Sequence, residues 1–283
     1  MGTSSSFGGA GSGTPLLPSW ADPPNPFPPD SPPADQPVDN ANLPENLPRP
    51  PMQPPPELDR FRVARYNFSR FVSSGGTDRG ALGRAVRDHI RTVSGGSRTA
   101  ARRMGTSRRA ASNLVGVLRD IQSRGITETL RKLSLDHLVG RSPKEILIAF
   151  TDIICRPGGT IDEGIARDAY VETILEVTEI GESLNSLTED QIGAVTIGFI
   201  GRSIVNRIIN DIGQKLDVRA LSGEQANYLM TVLKDLVHGA VKDRLQESIQ
   251  STRAIPQSKL DSEMTLIYER AWNFVDEEVE RLI

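Results

Sequence analysis

The chain has 283 residues and a formal net charge of −3, and 17 of its 20 prolines lie between Pro15 and Pro56. The single cysteine, Cys155, excludes a fold held by intrachain disulfides, and no run approaches the roughly 18 apolar residues that span a bilayer. No charged start followed by an apolar stretch marks a secretory signal. These features predict a soluble cytoplasmic protein without a membrane segment, whose folded part begins near Leu58.

Residues 1–57 are predicted to form a disordered N-terminal arm. The chain opens with small and polar residues, and the prolines that follow favour extended polyproline conformation. Such a segment carries too few apolar groups to offset the chain entropy of folding. As a flexible coil it would reach on the order of 40 Å, so it is either a tether that enters a partner's pocket or an extension with no task.

The next segment, 58–109, opens with apolar residues at helical spacing: Phe61, Ala64, Phe68, Phe71 and Val72. This spacing predicts an amphipathic helix that faces the core, although the aromatic residues, with Arg62, Arg65 and Arg70 among them, could also stack on nucleic-acid bases. Two glycine-opened units follow, 74–77 and 94–97, twenty residues apart. They indicate a weak internal repeat.

The same segment is strongly basic. From Arg60 to Arg109 there are thirteen arginines, no lysine and two aspartates, a charge of +11, whereas 1–59 carries −6 and 110–283 carries −8. Arginine offers a planar, permanently charged fork that suits phosphate or carboxylate. Binding of nucleic acid or of an acidic partner is therefore predicted for Arg98, Arg102, Arg103, Arg108 and Arg109. Internal pairing with the acidic second half, including the helix that starts near Asp162, is an equally open interpretation.

Residues 110–283 are predicted to form an all-α helical domain. Capping boxes start at Ser142, Thr160, Thr188 and Ser222, and the apolar residues between them recur with helical period. No alternating strand pattern is present in the sequence, and later helices are expected from Ser222 to Ile249 and over 260–282. The sequence therefore predicts an all-α globule of about seven or more helices behind the disordered arm.

Residues suited to metal binding or nucleophilic catalysis are sparse. His89, His137 and His238 stand singly, so no metal site is predicted. Cys155 follows an apolar run at a helix end, a position typical of a buried, inert thiol. We predict that the chain is not an enzyme and binds no cofactor.

The N-terminus offers a different kind of site. Loss of Met1 would leave a free α-amine on Gly2, and such an amine, with a pKa near 7.7 to 8.0, is substantially neutral and nucleophilic at cytoplasmic pH. We predict Gly2 as a modification site. The small residues that follow can thread a narrow pocket, and Phe7 either anchors the peptide at the rim or is a stray hydrophobic residue. The predicted pocket contacts are Thr3, Ser4, Ser5, Ser6, Phe7, Gly8 and Gly9.

Several stretches resemble the QatB family of the bacterial anti-phage Qat system. They are the opening Met-Gly-Thr-Ser-Ser-Ser-Phe-Gly-Gly, Phe68-Ser69-Arg70-Phe71 with Ser74-Gly75-Gly76, Ala100-Ala101-Arg102-Arg103-Met104-Gly105 with Ser107-Arg108-Arg109, and the run from Gly158 to Ala169. The similarity follows chain order over residues 1–180 and weakens beyond, where only helical character is shared.

The resemblance implies three operon partners: a QueC-like enzyme of the QatC type, a P-loop ATPase and a TatD-like nuclease. It also implies that this chain is a non-enzymatic subunit of an anti-phage defence complex, whose Gly2 receives a 7-deazaguanine-type group from the QueC-like enzyme. The alternative function is a nucleic-acid-binding adaptor that uses the basic block from Arg60 to Arg109. An independent enzyme is disfavoured because the sequence lacks a catalytic constellation.

Overall fold

The computed structural model describes residues 60–176, 184–213 and 221–283, which form helices and turns without a strand. The α-helices are α1 (Arg62–Ser73), α2 (Arg79–Asp88), α3 (Ser97–Arg103), α4 (Gly105–Arg124), α5 (Ile126–Lys132), α6 (Pro143–Ala149), α7 (Thr151–Ile154), α8 (Ile161–Glu176), α9 (Glu189–Ile208), α10 (Gly223–Val241), α11 (Gln246–Ser251) and α12 (Gln257–Glu280). Five-residue π-helical turns, His89–Val93 and Ile209–Gly213, continue α2 and α9. Short 3-10 turns occupy Asp136–Leu138, Leu184–Ser186 and Thr252–Ala254. The predicted all-α class is confirmed.

The predicted disordered arm, residues 1–57, lies outside the described residues, as do Gly2 and the predicted pocket contacts Thr3 to Gly9. The described residues belong to one compact unit. A single cluster of buried apolar side chains extends from Ala64 to Val279 and includes side chains from both 58–109 and 110–283. The basic segment therefore contributes directly to the core.

Helix α1 buries the apolar face that its spacing predicts. Ala64, Phe68 and Phe71 are buried, and the rings of Phe68 and Phe71 lie 5.9 Å apart. Phe61 and Val72 pack against the same core from partly buried positions. The core interpretation of this aromatic pattern is therefore confirmed, and these rings are not displayed for base stacking.

Two glycine pairs form the turns that follow α1 and precede α3. The φ angles are 62° and 86° at Gly75 and Gly76, and 80° and 91° at Gly95 and Gly96. Glycine adopts this left-handed region without the penalty that a Cβ would impose. At Gly76 a Cβ would also lie 2.9 Å from Cε1 of Tyr228. The twenty-residue repeat in the sequence thus corresponds to two turns with similar backbone conformations.

Helix α9 runs through the centre of the fold. It buries thirteen of its twenty residues and contacts α4, α8, α10, α11 and α12. Together with the π-helical turn it forms a stretch, Glu189–Gly213, that is long and apolar enough to cross a membrane, yet 72% of its apolar window is buried inside the protein. A helix that is apolar on all sides is typical of a protein core.

Helix α12 is the second organising element. It contacts α2, α3, α4, α9 and α10. Its buried stripe includes Tyr268 and Trp272, both 0% exposed, and the Tyr268 hydroxyl lies 2.9 Å from Oγ of Ser203 in α9. The C-terminal helix therefore joins the basic segment to the central helix.

The four predicted capping boxes are confirmed. Ser142, Thr188 and Ser222 each accept a hydrogen bond from the third residue of the helix, whose side chain bonds back to the capping residue. At α8, Oγ1 of Thr160 accepts from the backbone N–H of Glu163 at 3.3 Å, and the Glu163 carboxylate accepts from the N–H of Thr160 at 3.0 Å. Hydrogen bonds from the Thr160 hydroxyl and N–H lower the pKa of Glu163.

The helix expected from Ser222 to Ile249 is interrupted. Helix α10 ends at Val241, and a short turn leads into α11. The guanidinium of Arg244 lies over the ring of Phe274, 3.8 Å from its centroid, and Leu245 is buried. These contacts direct α11 onto α9, so tertiary packing overrides the continuous helical pattern of the sequence.

Phe71→Ala should lower the free energy of unfolding by about 3–5 kcal/mol, because it removes a fully buried ring and leaves a cavity. Tyr66→Ala is the matched control: Tyr66 lies on the same helix with 63% of its surface exposed, and its loss should cost no more than about 0.5 kcal/mol. Urea unfolding followed by far-UV circular dichroism measures both values. Similar losses in the two variants would contradict the assignment of the core face of α1.

Candidate functional site

Four exposed arginines lie on α3 and on the first turns of α4. Helix α3 contacts α12 and buries Ala100 and Ala101, so these two small side chains face the core. The arginines flanking them, with one from α4, are exposed. Together they form the arginine surface: Arg98, Arg102, Arg103 and Arg109.

The arginine surface is not neutralised within the described part of the chain. Arg103 donates a hydrogen bond from Nη1 to the carbonyl of Val93 at 3.1 Å, which occupies one of the five N–H donors of a guanidinium. The side chains of Arg98, Arg102 and Arg109 have neither an ion pair nor a hydrogen bond with any described residue. Within the described part of the chain, these three guanidiniums therefore keep all their donors for another ligand.

Arg108 differs from the other four arginines predicted to bind phosphate. Its side chain is partly buried, and its guanidinium donates to Oγ1 of Thr265 in α12 and, at 3.5 Å, to the carbonyl of Arg102. Burial lowers the pKa of Arg108. Arg108 therefore connects α4 to α3 and α12, and the arginine surface consists of the other four arginines.

Other arginines of the basic segment pair internally. Arg91 binds Asp276 of α12 at 3.0 Å and Glu280 at 2.7 Å, and Arg87 lies 3.9 Å from Glu280. The hydrogen bond from Arg91 to Asp276 raises the arginine's pKa. The two interpretations of the basic block thus apply to different parts of it. Internal pairing describes Arg84, Arg87 and Arg91, whereas Arg79 and the arginine surface form no ion pair with a described residue.

An ionic cluster around Asp211 joins the basic segment to α9. Oδ2 of Asp211 accepts a hydrogen bond from Nε2 of His89 at 2.9 Å and lies 3.4 Å from Nε of Arg207. The backbone carbonyl of Asp211 accepts from Nη2 of Arg65 in α1 at 2.9 Å. His89 and Asp211 each lie in a π-helical turn, so the two turns meet at this contact.

The charge state of Asp211 follows from its neighbours. Burial opposes ionisation, but the hydrogen bond from His89 and the charge of Arg207 outweigh it, so the pKa of Asp211 lies below its usual value. Because an ionised carboxylate only accepts hydrogen bonds, Nε2 of His89 carries the proton. Sequence analysis missed this pair, since the partners are 122 residues apart and neither belongs to a motif.

The acidic helix α8 does not contact the arginine surface through an ion pair. Glu176 binds Arg202 of α9 at 2.5 Å, and Lys234 of α10 lies 3.2 Å from Glu172. Asp162 binds Arg207 at 2.5 Å. The carboxylates of α8 thus fasten it to its two neighbouring helices.

Cys155 is a buried thiol, as predicted. It is 2% exposed, its Sγ lies 3.5 Å from the carbonyl oxygen of Ala166, and burial raises its pKa to about 12. A thiol with such a pKa is not a nucleophile near neutral pH. Among the residues that the structure describes, no group of three or more His, Cys, Asp or Glu side chains is arranged to hold a metal ion.

Comparison with known families supports a family assignment. The family model described as Qat anti-phage system associated protein QatB matches residues 95–275. The chain belongs to the QatB family. The match contains the arginine surface and Asp211, and it extends well beyond residue 180, where the sequence resemblance weakened. No curated protein and no solved structure gives a significant match.

QatB membership makes the chain a component of the Qat anti-phage defence system, with other Qat components as its partners. The described residues, 60–176, 184–213 and 221–283, form the helical body, whose surface can be related to this role. Its arginine surface is exposed and can contact another molecule, whereas its Asp211 cluster is partly buried within the fold.

Asp211→Asn should lower the free energy of unfolding at neutral pH by about 3 kcal/mol, because His89 and Arg207 lose their carboxylate partner. A depressed folded-state pKa means that this contribution is complete above the unfolded pKa, near 3.9, and is lost as pH falls through the lower folded pKa. The difference between wild type and variant should therefore shrink between about pH 4 and pH 2. Urea midpoints measured across this range provide the test.

The control is Asp136→Asn, which removes an exposed carboxylate 4.0 Å from Arg131. It should change the free energy of unfolding by no more than about 0.5 kcal/mol. A loss in Asp211→Asn that stays constant with pH would contradict the assigned ionic contribution.

Proposed function

We propose that this QatB protein is the non-enzymatic subunit of its defence complex whose N-terminus is the protein substrate of a QueC-like partner. The observation that carries the proposal is the family match over residues 95–275, because a Qat component acts with the other products of its operon. The small N-terminal sequence Met1-Gly2-Thr3 supports Gly2 as the acceptor. In this proposal the arm, 1–57, delivers the acceptor and the helical body holds the chain in the assembly.

The chemistry of Gly2 suits acyl transfer. An enzyme that activates a carboxylate of a 7-deazaguanine-type compound with ATP produces an acyl group with a good leaving group. The neutral α-amine of Gly2 attacks the acyl carbon, forms an amide bond, and releases the leaving group and a proton. A lysine amine is mostly protonated at the same pH, so the low pKa of an α-amine favours the N-terminus over side chains.

The residues after Gly2 suit a narrow entrance to a buried reaction centre. Thr3 to Ser6 are small, Gly8 and Gly9 have no side chain, and Phe7 is the one bulky apolar residue before Leu16. We propose that this run lies in the partner's pocket with Phe7 at its rim. A root-mean-square reach on the order of 40 Å for a flexible arm lets the helical body remain outside.

The helical body is proposed to contact the remaining Qat components, a P-loop ATPase and a TatD-like nuclease, in the cytoplasm. The described helices support a scaffold role because α9 and α12 contact most of the long helices and share one core with them. In this proposal the helical body acts through contacts on its surface. Removal of the body ends defence because the complex no longer assembles.

Coexpression with the QueC-like partner should add the mass of a deazapurine group to the peptide that begins at Gly2. Gly2→Arg should abolish the added mass and phage protection, because a bulky second residue retains Met1 and removes the Gly2 amine. Intact-protein and peptide mass spectrometry measure the modification, and plaque assays measure protection.

Gly13→Arg is the matched control, since it adds the same side chain to the arm and leaves Gly2 in place. It should retain both the added mass and protection. An unmodified Gly2 peptide from a fully reconstituted, active system would contradict the conjugation proposal and would not affect the scaffold role.

A further inference from the structure

We propose that the arginine surface, Arg98, Arg102, Arg103 and Arg109, binds the phosphate backbone of a nucleic acid. This inference goes beyond the proposed function, because it concerns the helical body and not the modified N-terminus. It also narrows the thirteen arginines of the basic segment to four.

The first step is the uncompensated charge. Arg98 and Arg102 are four residues apart on α3, and Arg103 follows directly, so like charges lie side by side on one short helix. Such pairs repel each other. Arg87 and Arg91, by contrast, meet Glu280 and Asp276. The described acids thus neutralise the neighbouring turn and leave the arginine surface positive.

The second step is the rigid support of the surface. Ala100, Ala101 and Met104 are at most 3% exposed, so α3 is anchored in the core at its centre and at its end. Arg108 adds hydrogen bonds to Thr265 and to the carbonyl of Arg102. Guanidiniums on an anchored helix lose less conformational freedom on binding than guanidiniums on a mobile loop.

The side chains around the arginine surface favour a nucleic acid over an acidic protein. Protein interfaces centre on apolar and aromatic side chains, whereas protein–nucleic acid interfaces are polar and strongly positive. In the described chain no large hydrophobic side chain between Tyr66 and Val139 in sequence is exposed. On the neighbouring helix α12, Leu266 is 48% exposed next to Thr265, the partner of Arg108, and one such side chain does not form the apolar centre of a protein interface. The residues interspersed with the arginines are small or carry hydroxyls, such as Ser97, Thr99 and Thr106, and hydroxyls also bind phosphate oxygens.

The fourth step concerns the kind of contact. All four cations are arginines, whose planar fork matches two phosphate oxygens, whereas lysine acts as a point charge. Phosphate contacts position a nucleic acid without reading its sequence. We therefore expect salt-dependent binding with little preference for base sequence.

The test uses the full chain and a fluorescein-labelled DNA duplex of mixed sequence, with fluorescence anisotropy as the measurement. Four phosphate contacts predict a slope of about −3.6 in the plot of log affinity against log salt, or a loss of affinity of about 150-fold between 50 and 200 mM salt. The quadruple variant Arg98→Ala, Arg102→Ala, Arg103→Ala and Arg109→Ala should lose most of this slope. Single-stranded DNA and RNA of the same length then identify which nucleic acid binds best.

A second quadruple variant controls for net charge: Arg131→Ala, Arg141→Ala, Arg253→Ala and Arg281→Ala. These residues are exposed, lie away from the arginine surface in sequence, and pair with acids of the described chain. The control should retain the wild-type salt slope. If the alanine variant of the arginine surface fails to fold, glutamine at the same four positions replaces it.

Two results would overturn the proposal. One is the absence of binding by the wild-type chain to duplex DNA, single-stranded DNA and RNA at low salt, which would favour an acidic protein as the partner. The other is an equal loss of binding in the two quadruple variants, which would reduce the effect to net charge. Neither result bears on Gly2, so the proposal fails or succeeds separately from N-terminal conjugation.

Discussion

The carboxylate of Asp211 is the point at which the basic segment is fastened to the central helix. The Asp211 carboxylate accepts a hydrogen bond from His89 and lies 3.4 Å from Nε of Arg207. The backbone carbonyl of the same residue accepts a hydrogen bond from Arg65. One residue thus connects α1, the turn after α2, and the end of α9. Because a partly buried carboxylate needs partners, these contacts keep Asp211 ionised, and the arginine surface lies on the segment that they fasten.

Helix α12 then determines which arginines remain available. Its C-terminal part presents Asp276 and Glu280 to Arg91, whereas its middle presents the Thr265 hydroxyl to Arg108. Along α3 the same helix offers an apolar stripe to Ala100 and Ala101. Within the described residues, the acids of α12 thus pair with Arg87 and Arg91, and no acid of this helix forms an ion pair with the arginine surface.

Local features of the sequence predicted local features of the fold. The capping boxes at Ser142, Thr188 and Ser222 and the buried face of α1 depend on neighbouring residues, so their patterns are readable in sequence. The turn after Val241, the π-helical turns and the burial of Arg108 depend on partners far along the chain. The same reason applies to the site. A charge count identified the basic block, but only the fold separates Arg91, which pairs with two acids, from Arg102, which has no acidic partner among the described residues.

The acidic half of the chain illustrates why net charge alone is a poor guide to a binding surface. Residues 110–283 carry −8, which would suffice to balance most of the +11 of the basic segment. The ion pairs of α8, in which Glu176 binds Arg202, Glu172 binds Lys234 and Asp162 binds Arg207, lie within this half, so the net charge of −8 already includes them. The position of the remaining acids, and not their number, therefore determines which arginines they neutralise. Coulomb attraction falls with distance, and salt screens it beyond about 8 Å at physiological ionic strength. A distant carboxylate therefore does little to neutralise an arginine of α3. What decides the fate of each arginine is therefore the nearest carboxylate within reach, and within the described residues the arginine surface has no such carboxylate at ion-pair distance.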